Sequence, residues 1–259
     1  MGTANIQGDL WGEKAQDWAY LFEPMSKPLW VAMLDSAGVQ DGTRFADLGC
    51  GGGGASILAA QRGARVSGLD AAEALIAIAR KRLAAGDFRV GDLESLPFDD
   101  DSFDVAFSSF SLMFAGDMGE ALSEMKRVTS PEGRITIGIW GAPKDCEYRH
   151  ILKAIASTLP SPPVGNGPFA LSEGNLLESM MKAAGLKFLE SGDVSAPFRF
   201  KDFETMLRVV GSVGPMQSAR KLVSDEVLET AILQAAKPYQ SDSGEIVFNN
   251  RFRYVTAIA

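Results

Sequence analysis

The sequence predicts an α/β protein with a mostly parallel sheet, helices on both faces and a helical insertion near its carboxyl end. Residues 44–140 alternate short apolar runs with stretches of helical spacing, a rhythm typical of parallel strands joined by crossover helices. A glycine-rich turn at residues 49–54 follows the first apolar run, where such sheets bind nucleotide-like ligands. Two more strands are predicted after residue 185, the second at the end of the chain.

Five strands and three helices are predicted in the first half of the chain. The strands cover residues 45–48, 64–69, 88–91, 103–108 and 134–140, and the helices begin or lie at residues 55–62, 71–85 and 121–128. The helix at 71–85 has the clearest pattern, because Leu75, Ile78, Ala79 and Leu83 recur at helical spacing.

The second half is less regular. The proline-rich residues 160–168 predict a loop, and Ser172 is a candidate N-cap for a helix that ends at Ala184. A strand follows over 186–191 and could extend to Phe198. Residues 201–240 predict two or three helices, broken near Gly211 and Pro215, and residues 251–258 predict the final strand.

Composition restricts the partners of the protein. The 259 residues carry a formal net charge of −8, which argues against nucleic acid or an anionic membrane surface as a partner. The longest uncharged apolar stretch, residues 105–116, is too short to span a bilayer. Two cysteines, Cys50 and Cys146, and residues 1–13 without the pattern of a signal peptide lead us to expect a cytoplasmic location.

The glycine-rich turn fits two ligand-binding patterns. Gly49, Gly51 and Gly54 satisfy the dinucleotide pattern G-x-G-x-x-G, and Asp47, Gly49, Gly51 and Gly53 satisfy acidic-x-G-x-G-x-G. A carboxylate at Asp47 would face the pyrophosphate of a dinucleotide, whereas a cationic ligand without phosphate tolerates or favours it. The charge argument favours the second pattern, with the first kept as an alternative.

The second pattern resembles motif I of the class I S-adenosylmethionine (SAM) methyltransferases. The sequence G-L-D at residues 68–70 is similar to that family's ribose motif, and G-D-L-E-S-L-P-F at 91–98 is similar to a segment of its ubiquinone/menaquinone-biosynthesis (type 11) branch. The stretch F-D-D-D-S-F-D-V at 98–105 also resembles that branch.

The resemblance implies a Rossmann-like seven-stranded methyltransferase sheet. Its last strand would insert antiparallel between the fifth and sixth, with the helices of 201–240 forming a cap. The expected organisation is an N-terminal helical segment (1–40) that covers the cofactor site, a SAM-binding core (41–200), a cap insertion (201–248) and a final core strand (249–259).

The resemblance also implies a cofactor site for SAM, with S-adenosylhomocysteine (SAH) as product. Asp70 would bind the ribose hydroxyls and Asp92 the adenine amino group; a helix N-cap and a polar turn are the alternatives for these two acids. Aromatic residues of the N-terminal segment, including Trp18 and Tyr20, would close over SAM or simply belong to the core. The expected cofactor-binding residues are Tyr20, Asp47, Gly49, Cys50, Gly51, Gly53, Asp70, Ala71, Asp92, Leu93, Ser109 and Phe110.

The implied reaction is in-line methyl transfer to a small, partly apolar molecule. The only histidine, His150, is a candidate general base or a surface helix residue, and no metal-ligand cluster is apparent. We expect a monomer or homodimer, with the cavity at the carboxyl ends of strands one and four under the N-terminal helix and the 201–240 helices. A non-catalytic SAM-binding protein and an NAD(P)-dependent oxidoreductase remain alternatives, and the acceptor and its reacting atom stay open.

Overall fold

A seven-stranded sheet forms the centre of the computed structural model, which describes residues 2–161 and 167–259. The strand order is β3-β2-β1-β4-β5-β9-β6, and β7 pairs only with β8. The strands are β1 (Arg44–Leu48), β2 (Arg65–Asp70), β3 (Asp87–Val90), β4 (Phe103–Ser109), β5 (Thr129–Trp140), β6 (Lys187–Ser195), β7 (Phe198–Phe200), β8 (Ile246–Phe248) and β9 (Arg251–Ile258).

Helices connect these strands. They are α1 (Ala4–Gly12), α2 (Ala15–Asp17), α3 (Lys27–Ser36), α4 (Gly54–Gln61), α5 (Glu73–Arg82), α6 (Met118–Val128), α7 (Arg149–Thr158), α8 (Leu176–Ala183), α9 (Phe203–Val210), α10 (Gly214–Arg220) and α11 (Asp225–Ala236). After α2 the chain continues through a π-helical turn, Trp18–Phe22, and a 3₁₀ turn, Glu23–Ser26.

The direction of β9 confirms the predicted fold. Strands β1 to β5 run parallel, whereas β9 pairs antiparallel with β5 and β6 on either side. Trp140 at the end of β5 therefore lies opposite Phe252 at the start of β9. The carboxyl ends of the parallel strands and the beginning of β9 share one edge of the sheet.

Helices cover both faces of the sheet, as predicted. On one face Phe45 of β1 packs in a buried cluster with Met33 of α3 and Ala55 of α4. On the other face Leu48 belongs to a cluster with Leu122 of α6. Side chains of a strand alternate between its two faces, so both faces of β1 are apolar.

Two predicted boundaries in the second half are wrong. The helix predicted from Ser172 begins at Leu176, because the Ser172 hydroxyl donates to the Phe169 and Gly141 carbonyl oxygens instead of capping a helix. The strand after residue 186 ends at Ser195 and does not continue to Phe198, since β7 pairs with β8 in a separate sheet. This small sheet frames the predicted helices of the insertion, α9 to α11.

Within the described residues, no helix combines the length and the apolar character that crossing a membrane requires.

Candidate functional site

A large cavity lies at the carboxyl edge of the sheet, where the sequence predicts it. Asp47 of β1 and Ser109 of β4 line its floor, Trp11 of α1 lies on one side, and Val213 and Pro215 of the insertion lie over it. The cavity lies under the N-terminal helix and the 201–240 helices, as expected, and its identity as the cofactor site stays a prediction.

The glycine-rich turn approaches its neighbours too closely for any other residue. Gly49 has a φ of 81°, and a Cβ there would lie 2.1 Å from the Ser111 Cβ. Gly51 has a φ of 54°, and a Cβ there would lie 2.5 Å from the Trp18 ring. Glycine is required at both positions because it adopts positive φ and carries no side chain.

Asp70 joins the glycine turn to the next crossover. Its Oδ2 accepts a hydrogen bond from the Gly51 amide at 2.8 Å, and its Oδ1 accepts one from the Ala72 amide at 2.9 Å. Ala72 is itself the N-cap of α5, so Asp70 lies outside the helix cap. The carboxylate lines the cavity, and burial raises its pKa.

Two further carboxylates are buried beside Asp70. Asp47, 2% exposed, accepts a hydrogen bond from the Ser56 hydroxyl at 2.7 Å. Its pKa is raised to about 7, first by burial and then by the charges of Glu23 and Asp70. The ionised form of a buried carboxylate is disfavoured without a nearby positive charge, so this part of the cavity favours a cation.

Glu23 is a cavity residue that the sequence does not point to. It is 2% exposed, and its carboxylate accepts hydrogen bonds from the Gly52 amide at 2.8 Å and from Arg82 at 2.7 Å. Burial raises its pKa to about 7 although Arg82 opposes the shift. Only an acid beside Pro24 marks it in the sequence, and no pattern links that segment to the glycine turn.

Asp92 and Leu93 line the same cavity as Asp70. The Asp92 Oδ1 accepts a hydrogen bond from the Glu94 amide at 3.0 Å, and the start of the chain lies against Asp92, since a Cβ on Gly2 would lie 2.1 Å from its Oδ2. Cavity walls also include Cys50, Ala71, Ser109 and Phe110 of the predicted set. Gly53 lies in the turn itself, as the N-cap of α4 with a φ of 81°.

Tyr20, a predicted cofactor-binding residue, is not among the described residues that line the cavity. Tyr20 is 49% exposed, and the Arg82 guanidinium lies 5.3 Å from its ring centroid. Trp18 and Phe22 line the cavity instead. Within the helical turn of residues 18–22, residues four apart share a face and the residue between them points away.

His150 lies away from the cavity, so its candidate role as a base is not supported. It lines an outer groove between α7 and α11 and lies beside the Tyr239 ring, at 5.9 Å between centroids. On the same helix turn, Tyr148 and Leu152 line the cavity. Burial and the neighbouring cations Arg149 and Lys153 lower the pKa of His150. Its place in the outer groove agrees with the alternative, a surface helix residue.

The other end of the cavity is aromatic. Phe110 has a φ of 58°, a strained conformation for a residue with a side chain. Its ring centroid lies 4.7 Å from that of Phe252 and 5.7 Å from that of Trp140. Phe198 of β7 packs edge-on against Trp140 at 6.0 Å. Tyr148 at the start of α7 stacks parallel to Trp140, with 5.9 Å between centroids.

We call the side chains of Glu23, Asp47, Asp70 and Asp92 the acidic end of the cavity, and those of Phe110, Trp140, Tyr148, Phe198 and Phe252 its aromatic end. Among the described residues that line the cavity, none is lysine, arginine or histidine. The described part of the chain also holds no group of three or more His, Cys, Asp or Glu residues arranged for a metal ion, and a metal-free site stays a prediction.

Comparisons with known proteins agree with this geometry. A model of the methyltransferase domain family matches residues 46–137. The chain is 33% identical over 186 residues to a demethylmenaquinone methyltransferase of Clavibacter sepedonicus, covering 65% of this chain and 76% of that protein. It is 38% identical over 103 residues to a malonyl-[acyl-carrier protein] O-methyltransferase of Serratia marcescens, spanning 40% of each.

A solved structure shares the fold. The geranyl diphosphate C-methyltransferase of Streptomyces coelicolor A3(2), in complex with Mg²⁺, geranyl diphosphate and SAH, superposes with a TM-score of 0.54. The superposition covers 95% of this chain and 83% of that protein's chain, at 19% sequence identity. Sheet order, glycine turn and relatives together lead to one conclusion: the chain belongs to the class I SAM-dependent methyltransferase family.

Proposed function

We propose that the protein is a SAM-dependent methyltransferase that transfers a methyl group to a small, partly apolar molecule by in-line displacement. One observation carries the proposal: Asp70 and Asp92, at the ends of neighbouring strands, line the same cavity as the glycine turn and the buried Asp47. Asp70 on the ribose and Asp92 on the adenine would hold one adenosine between them.

The buried carboxylates fit the charge of this cofactor. SAM supplies a methyl group on a positively charged sulfur and also carries an ammonium group. Asp47 and Glu23 have raised pKa values because they are buried, and a nearby positive charge favours their ionised forms. The acidic end therefore gains more from a cationic ligand than from a neutral one.

The same features argue against a dinucleotide. A pyrophosphate binds the free backbone N–H groups of a glycine turn and a helix N-terminus. Here the Gly51 amide already donates to Asp70 and the Gly52 amide to Glu23. Both donors are occupied by carboxylates, and these would repel a phosphate.

The chain's own contribution to the reaction would be positioning and exclusion of water. The leaving thioether is neutral and needs no acid, so the nucleophile mainly has to be held close and in line with the methyl group. The aromatic end offers apolar walls for the acceptor. A cytoplasmic location, a monomeric or homodimeric state and a reaction without metal belong to the same proposal.

Calorimetry with SAM, SAH and NADH, each added alone, tests cofactor choice. We expect SAM and SAH to bind and NADH to give no heat. Binding of NADH without a response to SAM would favour the oxidoreductase alternative.

Turnover then separates an enzyme from a non-catalytic binding protein. SAH formation is followed with a panel of phenols, hydroquinones, carboxylates and amines, because the family has no universal catalytic residue whose presence could decide. We expect SAH to form with at least one uncharged acceptor. SAM binding without SAH formation from any member would favour the non-catalytic alternative.

A further inference from the structure

Tyr148 is a buried polar residue in the wall of the cavity, and the proposed binding of SAM does not involve it. The residue is 1% exposed and lines the cavity at its aromatic end. Its hydroxyl has no hydrogen-bond partner among the described residues. Buried polar groups nearly always have a partner, so this hydroxyl needs an explanation.

The surroundings of Tyr148 hold its ring but offer nothing to its oxygen. Its amide donates to the Asn250 Oδ1 at 3.0 Å. Aromatic rings surround its side chain: Phe198 at 5.1 Å, Phe248 at 5.7 Å and Phe22 at 6.1 Å between centroids, besides the parallel Trp140. Phenylalanine would fill this space equally well and would avoid the loss of stability that an unpaired hydroxyl causes.

The aromatic end also lacks charge. The acids of the cavity come from β1, β2, the residues after β3 and the segment before α3, and no described lining residue is cationic. An acceptor with a carboxylate or phosphate would be buried there without a counter-ion, which is costly. Planar aromatic molecules, in contrast, pack well against edge-on and offset rings.

We infer that Tyr148 positions the methyl acceptor through a hydrogen bond from or to its hydroxyl, and that the acceptor is an uncharged aromatic molecule with a ring oxygen, such as a phenol or hydroquinone. This inference rests on the proposed function. Burial raises the pKa of Tyr148, so the hydroxyl keeps its proton and serves to orient the acceptor, not as a base.

Three naphthalene probes test the inference by calorimetry on the SAH-loaded protein: 2-naphthol, naphthalene and 2-naphthoate. We expect 2-naphthol to bind about tenfold tighter than naphthalene, the gain of one buried hydrogen bond, and 2-naphthoate to bind more weakly than 2-naphthol. In Tyr148→Phe the preference for 2-naphthol over naphthalene should disappear while naphthalene affinity stays. Tyr239→Phe, in the outer groove, is the matched control and should leave all three affinities unchanged.

The stability of the free protein provides a second test, which needs no ligand. If the hydroxyl has no internal partner, Tyr148→Phe should leave the free energy of unfolding of the free protein unchanged or higher, by urea denaturation. A clear loss of stability would show an internal partner and would overturn the inference.

The other possible results of these experiments either contradict the inference or separate it from the proposed function. An unchanged 2-naphthol preference in Tyr148→Phe, tightest binding of 2-naphthoate, or no binding of any probe contradicts the inference. The probes are also titrated into protein without SAH, and SAM binding is measured separately. A Tyr148-dependent 2-naphthol preference without SAM binding would refute the proposed function and leave the chemistry of the subsite standing.

Discussion

The acidic and aromatic ends of the cavity are built from neighbouring strands of one sheet but by different means. Asp47, Asp70 and Asp92 follow the order β1, β2, β3 on one side of the sheet centre. Phe110 follows β4 and Trp140 ends β5 on the other side, where Phe252 of β9 joins them. The strand order therefore places the three aspartates on one side of the sheet centre and the rings of Phe110, Trp140 and Phe252 on the other.

The two ends also differ in the interactions that hold their side chains in place. Asp70 and Glu23 are held by hydrogen bonds from backbone amides of the glycine turn and its neighbours, whereas Phe110 and Phe252 are held by ring contacts. We therefore expect the acidic end to respond to pH and to the loss of a charge, and the aromatic end to respond to shape. The predictions below test that division.

Removing the Asp70 charge should have the largest effect on the cofactor. Asp70→Asn should weaken SAM binding about 10- to 100-fold, since hydrogen bonds to charged groups contribute about 1.5–3 kcal/mol. Calorimetry measures the affinity, and binding of 2-naphthol in the aromatic end should change less than twofold.

Asp87→Asn is the control, because Asp87 carries the same charge but pairs with Arg89 on the exposed surface. It should leave SAM affinity unchanged, and thermal unfolding should show that both variants are folded. Equal affinities of Asp70→Asn and Asp87→Asn for SAM would remove Asp70 from the site.

A smaller effect is expected from pH, and its sign follows from the raised pKa values of Asp47 and Glu23. In the folded protein these carboxyls stay protonated up to about pH 7, whereas in the unfolded chain they stay protonated only up to about pH 4. They therefore contribute stability that is present below the unfolded pKa and is lost as the pH rises through the folded pKa. The free protein should therefore lose stability between about pH 4 and pH 7. A cation lowers both pKa values, so SAM should bind about tenfold tighter at pH 8 than at pH 6 and release roughly one proton near pH 7.

Calorimetry in two buffers of different ionisation enthalpy measures that proton release. Asp47→Asn should reduce the release and flatten the pH dependence of SAM affinity, whereas Tyr148→Phe at the aromatic end should leave both unchanged. A SAM affinity independent of pH between 6 and 8 would contradict the coupling between cofactor and buried acids.

The smallest effect distinguishes two aromatic residues of the same helical turn. Trp18→Ala should weaken SAM binding about fivefold, because an aromatic contact contributes about 1 kcal/mol. Tyr20→Ala should change it less than twofold, since Tyr20 points outward towards Arg82. A larger loss of SAM affinity in Tyr20→Ala than in Trp18→Ala would indicate that Tyr20 belongs to the site.

Most of the acidic end could be predicted because its residues lie in short segments. Asp47, Asp70 and Asp92 each follow an apolar run by a spacing that resembles a known motif, and parallel strands bring such ends to one edge. Glu23 could not be predicted, because it reaches the glycine turn only through a π-helical turn and a 3₁₀ turn whose geometry no spacing encodes.

Apart from Phe110, which belongs to the predicted set, the aromatic end could not be predicted from the sequence, for a similar reason. Phe110 follows β4, Trp140 ends β5 and Tyr148 precedes helix α7. Phe198 of β7 and Phe252 of β9 lie on either side of a long insertion. Nothing in the chain around Tyr148 separates it from His150, two residues away, yet one lines the cavity and the other lies in the outer groove. Which of the two faces inward depends on how α7 packs against the insertion.

Local patterns in the sequence thus determined the parallel sheet, the glycine turn and the acids at its strand ends, because each depends on residues close together in the chain. Only the tertiary structure decided that Glu23 is buried beside that turn, that Trp18 and not Tyr20 lines the cavity, and that the Tyr148 hydroxyl lies among aromatic rings without a partner among the described residues. Those positions depend on packing between segments far apart in the chain, such as Phe22 against Tyr148, and such packing follows from the whole fold, not from any one stretch of it.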